Sequence, residues 1–118
     1  YARHMCRPNR CTDKGYRRDG PTGNGDMYNY MWGPTDFFGI GTLKDYDISA
    51  QLPQIAVPTL ILCGEFDEAS PKSCHKFDQT IKTSSIAIIP DAGHATMAAD
   101  EDLYMQKVRD FLASYMTQ

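Results

Sequence analysis

A chain of 118 residues, 42% hydrophobic and 23% charged with a formal net charge of −3, has the size and balance of one soluble globular domain and is too apolar for a disordered one. No apolar run approaches the roughly 18 residues of a membrane helix, and no basic-then-apolar leader opens the chain, so no membrane partner is expected. Residues 1–26 carry six Lys/Arg against three Asp, but the stretch "RPNRCTDKGYRRDG" alternates in sign without a row of interleaved aromatics, which favours a solvated loop over a nucleic-acid groove.

Cys6, Cys11, Cys63 and Cys74 show neither the C-x2-C spacing of a zinc ribbon nor a redox motif, so no metal and no cofactor are expected. Thiols without a pattern fit a reducing, cytoplasmic compartment better than a disulfide framework. The chain opens on Tyr1 rather than Met, as a processed chain or a part of a longer one would.

"YARHMCR" suits the end of a helix. Residues 8–26 hold two Pro and four Gly among charges and are expected as an exposed loop. "DMYNYMWGP" predicts a short helix stopped at Gly33-Pro34. "TDFFGIGTLKDYD" reads as an aromatic-rich turn region, and in "DISAQLPQI" Asp47 is placed to cap one helical turn ahead of Pro53.

The strongest signals begin at Val57. "VPTLILCG" is a continuous apolar run of strand length, suited to a strand covered on both faces in a parallel sheet. Ser70-Pro71 is a helix start, with a capping hydroxyl followed by a proline at the first helical position. In that helix Cys74, Phe77 and Ile81 form one apolar stripe. "SSIAIIP" predicts a second buried strand. The last helix, in "DEDLYMQKVRDFLASYM", opens with Asp100, Glu101 and Asp102 at the positive end of its dipole and aligns Tyr104, Val108, Phe111, Leu112 and Tyr115. The order strand–helix–strand–helix implies an α/β fold with a right-handed parallel crossover.

Each strand run is followed within about five residues by a group able to do chemistry, Asp67 after the first and His94 after the second. In open parallel sheets such groups gather beyond the carboxyl ends of the strands. Singly, an Asp there is as a rule a turn or cap residue and a His after Gly a surface group. Together, after consecutive strands, they are spaced for a carboxylate–imidazole bond, which holds a general base in one tautomer. The nucleophile of such a triad is absent from this chain. Ser49, Ser70, Ser73, Ser84, Ser85 and Ser114 lack flanking glycines and a preceding buried strand, so none sits on a G-x-S-x-G elbow. Cys63 lies on the same element as Asp67 and is simplest as a small buried hydrophobe.

"MWGPTDF", "GTLKDYDI", "VPTLILCGEFDEASP" and "IIPDAGHATM", in this order and spacing, resemble the C-terminal half of the proline iminopeptidases (prolyl aminopeptidases) of the α/β-hydrolase superfamily. The resemblance covers the chain from about Asp26 onward. It implies the C-terminal part of an α/β-hydrolase fold: its last two parallel strands with helices over 46–118, and a cap remnant with a linker loop over 1–45. It also implies that Asp67 is the catalytic acid and His94 the catalytic base, and that Glu68 and Asp36 bind the substrate's free α-amino group. Asp36 stands where the family has Glu, which keeps the charge and shortens its reach. Trp32 is then a candidate wall for a pyrrolidine ring, and packing within the cap is an equal use for it.

The expected partners are a peptide substrate with a free N-terminus and either the missing N-terminal half, which would supply the Ser and the oxyanion hole, or a second copy of the chain. Two other possibilities stay open. Another α/β-hydrolase, such as an esterase or an epoxide hydrolase, would share the Asp and His loops without needing acids at 36 and 68. A truncated, non-catalytic binding or assembly module would need neither.

Overall fold

The computed structural model describes residues 24–35 and 38–116. They fall into two compact units that divide between Ala50 and Gln51.

In the first unit, helix α1 spans Gly25–Met31. The Asn24 side chain caps it by accepting from the amides of Asp26 and Met27, both at 3.1 Å. Two of the amide donors that a helix start leaves unpaired are thus satisfied. The helix ends at Trp32, and Gly33 follows at φ +141°, a backbone conformation that side-chain-bearing residues rarely adopt. Past the turn the chain doubles back, with the Gly41 amide donating to the Trp32 carbonyl at 2.7 Å and Thr42 to Tyr30 at 3.0 Å. Asp47 accepts from the Ser49 amide at 2.8 Å, and bonds to Ser49 hold its exposed carboxyl below the usual carboxylate range. The 3₁₀ turn that follows, Ser49–Gln54, includes Pro53 instead of ending before it. A turn this short uses few amide donors, so the missing proline N–H is tolerated.

The second unit is a parallel pair of strands. β1 (Thr59–Gly64) and β2 (Ser84–Ile89) run in register from Thr59↔Ser84 to Gly64↔Ile89. Helix α2 (Pro71–Thr80) makes the crossover; Ser70 accepts from the Ser73 amide at its start, at 3.4 Å. After β2 come a four-residue helix α3 (Thr96–Ala99) and the long helix α4 (Glu101–Met116). Asp100 separates them and caps α4 by accepting from the Leu103 amide at 3.1 Å.

The core is concentrated at the carboxyl end of the sheet, where Cys63, Ile89 and Ala92 are all but inaccessible and Cys74 is buried, while Ile81 is buried at the opposite end, where α2 leads into β2. The expectation of strands covered on both faces holds only there, since Thr59 to Leu62 are half-buried. The helix stripes are corrected in the same way. Phe77 is exposed although Cys74 and Ile81 on its stripe are buried, and Leu112 and Tyr115 are exposed at the end of α4. Periodicity identifies an apolar face, but among the described residues nothing covers these parts of it. No helix among them is long and apolar enough to cross a membrane.

Candidate active site

The loops that leave β1 and β2 are zipped together by their backbones. The Glu65 amide donates to the Ile89 carbonyl at 3.0 Å and the Phe66 amide to the Ala92 carbonyl at 2.8 Å. Gly64 makes the approach possible. A Cβ there would lie 2.7 Å from the Ala92 carbonyl carbon and nearer still to the carbonyl oxygens of Ala92 and Gly93. Its φ lies outside the left-handed range, so the requirement for glycine at this position is steric.

The zipper sets Asp67 opposite His94. Asp67 Oδ1 lies 3.0 Å from His94 Nδ1 and accepts the Ala69 amide at 2.9 Å, while Oδ2 accepts the Gly64 amide at 3.4 Å. Both oxygens are therefore oriented by the loop that carries them. The Asp67 residue is buried, whereas the His94 side chain is half exposed. An ionised carboxylate only accepts, so Nδ1 carries the proton of this bond and Nε2 is left with its lone pair. No other group among the described residues bonds Nε2. The pair can therefore take up a proton at Nε2 and release it again, with the carboxylate stabilising the imidazolium between the two events. The His94 carbonyl accepts from the Thr96 amide at 2.8 Å, which ties this residue to the start of α3.

Beneath the acid, Cys63 and Cys74 are both buried and free. Burial, followed by its hydrogen bond with Cys74 and the nearby charge of Asp67, pushes the Cys63 thiol up to about 12. A thiol held protonated is a poor nucleophile. The Cys74 thiol donates to the Ala69 carbonyl at 3.4 Å, so Ala69 is held by Cys74 at one end and by Asp67 at the other.

Of the other expected site residues, only Glu68 belongs, within the described residues, to the same compact unit as the pair. Glu68 follows Asp67, is exposed, and forms no side-chain hydrogen bond or ion pair among the described residues. Trp32 belongs to the other compact unit, and Asp36 lies outside the described residues. No serine among the described residues bonds His94. Ser70 caps α2, Ser84 bonds Asp78 and Ile81, and Ser114 donates to the Phe111 carbonyl. No group of three or more metal-ligating side chains occurs among them either. A groove of about 500 Å³ runs between β2 and α4, lined by Leu60, Ile86, Ile88, Lys107, Phe111 and Tyr115; it contains no residue of the two loops and is separate from the site.

Two features escaped the sequence. The Glu65 carboxylate accepts the Asp91 amide at 2.9 Å, which adds a side-chain tie between the loops. Asp91 itself sits at φ +50°, a left-handed conformation that Asp tolerates at a cost of about 1 kcal/mol. The bond from Glu65 is worth a similar amount, about 0.5–1.5 kcal/mol. An acid directly before an aromatic and the catalytic candidate was the available signal, but nothing local indicates its partner.

No protein-family model matches the chain. A proline iminopeptidase from Heyndrickxia coagulans is 35% identical over 91 residues, which is 77% of this chain and 32% of that protein. The crystal structure of VinJ superposes with a TM-score of 0.79 at 28% identity, covering 97% of this chain and 39% of that one. The crystal structure of proline iminopeptidase from Mycobacterium smegmatis gives 0.75 at 28% identity, covering 97% and 38%. The chain spans about a third of the length of the curated relatives it matches.

Proposed function

From a chain that has the C-terminal part of the α/β-hydrolase fold and is related in sequence to the proline iminopeptidases, we propose a serine hydrolase that releases the N-terminal residue, proline, from peptides. The observation that carries the proposal is the oriented pair Asp67–His94, at 3.0 Å with Nε2 unbonded among the described residues. A serine from outside these 118 residues attacks the carbonyl of the first residue as His94 Nε2 accepts its proton. The same nitrogen then returns the proton to the leaving amine, and water repeats the cycle on the acyl-enzyme. Asp67 stays ionised throughout and stabilises the imidazolium.

Glu68 is assigned to the substrate's α-ammonium group. It is adjacent to the acid, exposed and uncommitted among the described residues, and a charge-assisted bond of this kind distinguishes a terminal amine from an internal amide. Asp36 is proposed as a second carboxylate for the same group and Trp32 as an apolar wall for the ring.

The test is release of arylamine from proline arylamide by the full-length protein, beside an N-acetylated proline arylamide and a simple ester. Glu68→Gln is expected to raise KM for the free amine at least about tenfold, the scale of one charge-assisted bond, with little change for the blocked substrate or the ester. Equal effects on all three substrates would refute the role of Glu68. Turnover of esters with none of proline arylamide would refute the aminopeptidase and leave an esterase.

A further inference from the structure

We propose that Glu65 is a positioning residue for His94, acting through the backbone of Asp91; this rests on the assignment of His94 as the base. Three observations point to it. The Glu65 carboxylate accepts the Asp91 amide at 2.9 Å across a sequence separation of 26 residues. Asp91 occupies the left-handed region at φ +50°, three residues ahead of His94. The chain between them, through Ala92 and Gly93, is buried against Gly64 and Phe66 of the opposite loop.

The direction of His94 is therefore set at two points, by the Ala92 carbonyl on Phe66 and by the Asp91 amide on Glu65. Backbone packing at Ala92 is enclosed and has little freedom. Asp91 is only half-buried, and its turn is intrinsically unfavourable. Without Glu65 the amide loses its bond across the two loops, and the strained turn is held less firmly. The imidazole, three residues on and half exposed, is held by the Asp67 bond and, through its own carbonyl, by the Thr96 amide, and neither bond fixes the turn at Asp91. Glu65 thus does for the backbone of the His loop what Asp67 does for the ring. It makes no contact with the imidazole, so its role is positioning.

The proposal requires an acceptor at residue 65 rather than a charge, which makes Glu65→Gln and Glu65→Ala the informative pair. Gln keeps a carbonyl oxygen in reach of the amide, and Ala removes it. In the full-length protein, amide exchange at Asp91 is expected to speed up about three- to tenfold in Glu65→Ala, the shift that loss of one ordinary hydrogen bond produces, and to stay within twofold of wild type in Glu65→Gln. With proline arylamide, kcat is expected to fall about tenfold or more in the Ala variant at a KM within twofold, and to be restored in the Gln variant. Wild-type exchange at Asp91 in Glu65→Ala would overturn the proposal. So would a Gln variant as impaired as Ala, since charge would then be the operative property. If the full-length protein turns over no peptide substrate, the peptidase assignment falls, and the exchange rate at Asp91 alone decides whether Glu65 holds the loop.

Discussion

Replacing Gly64 by alanine tests the whole site through a single methyl group. The new Cβ would lie 2.7 Å from the Ala92 carbonyl carbon, while carbon atoms pack best at about 3.5 Å, so the His loop must retreat by roughly 0.8 Å. The obstructing atoms are backbone, and no side-chain rotation relieves them. If the loop moves as a unit, the Phe66–Ala92 bond opens from 2.8 Å to roughly 3.6 Å and the Asp67–His94 bond from 3.0 Å to roughly 3.8 Å, both beyond useful hydrogen-bond length. Overpacking costs about 1–3 kcal/mol and each of the two lost bonds about 1 kcal/mol, so a destabilisation of roughly 3–5 kcal/mol is expected. A displacement near 1 Å at a catalytic base is expected to lower kcat by about 10²-fold. The assay pairs a denaturant titration with proline arylamide turnover in the full-length protein. His94→Ala serves as control, because it removes the base from a half-exposed position and should cost activity with little stability. Gly64→Ala with an unchanged midpoint and turnover within twofold of wild type would refute the close approach of the two loops.

Asp67→Asn should leave KM within about threefold and reduce kcat by about 10³–10⁴, because a buried amide cannot accept from His94, Ala69 and Gly64 together and favours the wrong imidazole tautomer; steady-state kinetics with a fold check by circular dichroism measures it. Cys63 is held protonated by burial up to about 12, against an ordinary 9.0, so native protein at pH 8 should leave it unlabelled by iodoacetamide while urea exposes it. The sign of its linkage follows: below pH 9 both states keep the proton, and above it the unfolded chain releases its proton first, so stability should decline from pH 9 toward 12. Cys63→Ala should lose that component of the decline, and denaturant midpoints at pH 8 and pH 10 for both proteins measure it.

Most of what places the site was legible because its causes are local. The runs at 57–64 and 84–90 are apolar without alternation, Ser70-Pro71 is cap chemistry, and Asp67 and His94 each follow a strand within five residues. What was not legible depends on register between segments far apart in sequence. Gly64 looked like the end of a strand, and its use is the backbone of residues 92 and 93, which no window around Gly64 contains. Glu65 stands in a short acidic stretch with Asp67 and Glu68, and its partner is an amide 26 residues away. The four-residue helix Thr96–Ala99 carries no signal in the sequence, and Asp100, read as part of the first turn of the last helix, instead caps it by accepting from Leu103. Phe77, Leu112 and Tyr115 carry helical periodicity, but periodicity says nothing about what lies opposite.

The same exposures bear on how the chain behaves by itself. The chemistry of the Asp–His pair is complete within two adjoining loops, whereas the strands beneath it are not enclosed. Among the described residues β1 pairs only with β2, so each strand has one outer edge without a ladder partner. A two-stranded sheet is marginal in water without further strands or helices. Val57, Met97, Leu112 and Tyr115 are each about half exposed or more, and the curated relatives are roughly three times as long. Exposed edges and apolar faces of this kind recruit another chain. We therefore propose that the 118-residue chain, expressed without further sequence, associates with a second copy or with the remainder of an α/β-hydrolase, and turns over no substrate until a serine is supplied. Light scattering on the purified chain, read beside the arylamide assay, is the measurement. A monodisperse monomer with a cooperative melt would show that the open edges are tolerated. Turnover by that monomer, abolished in His94→Ala, would place the nucleophile among these residues and overturn the assignment of the serine to sequence outside them.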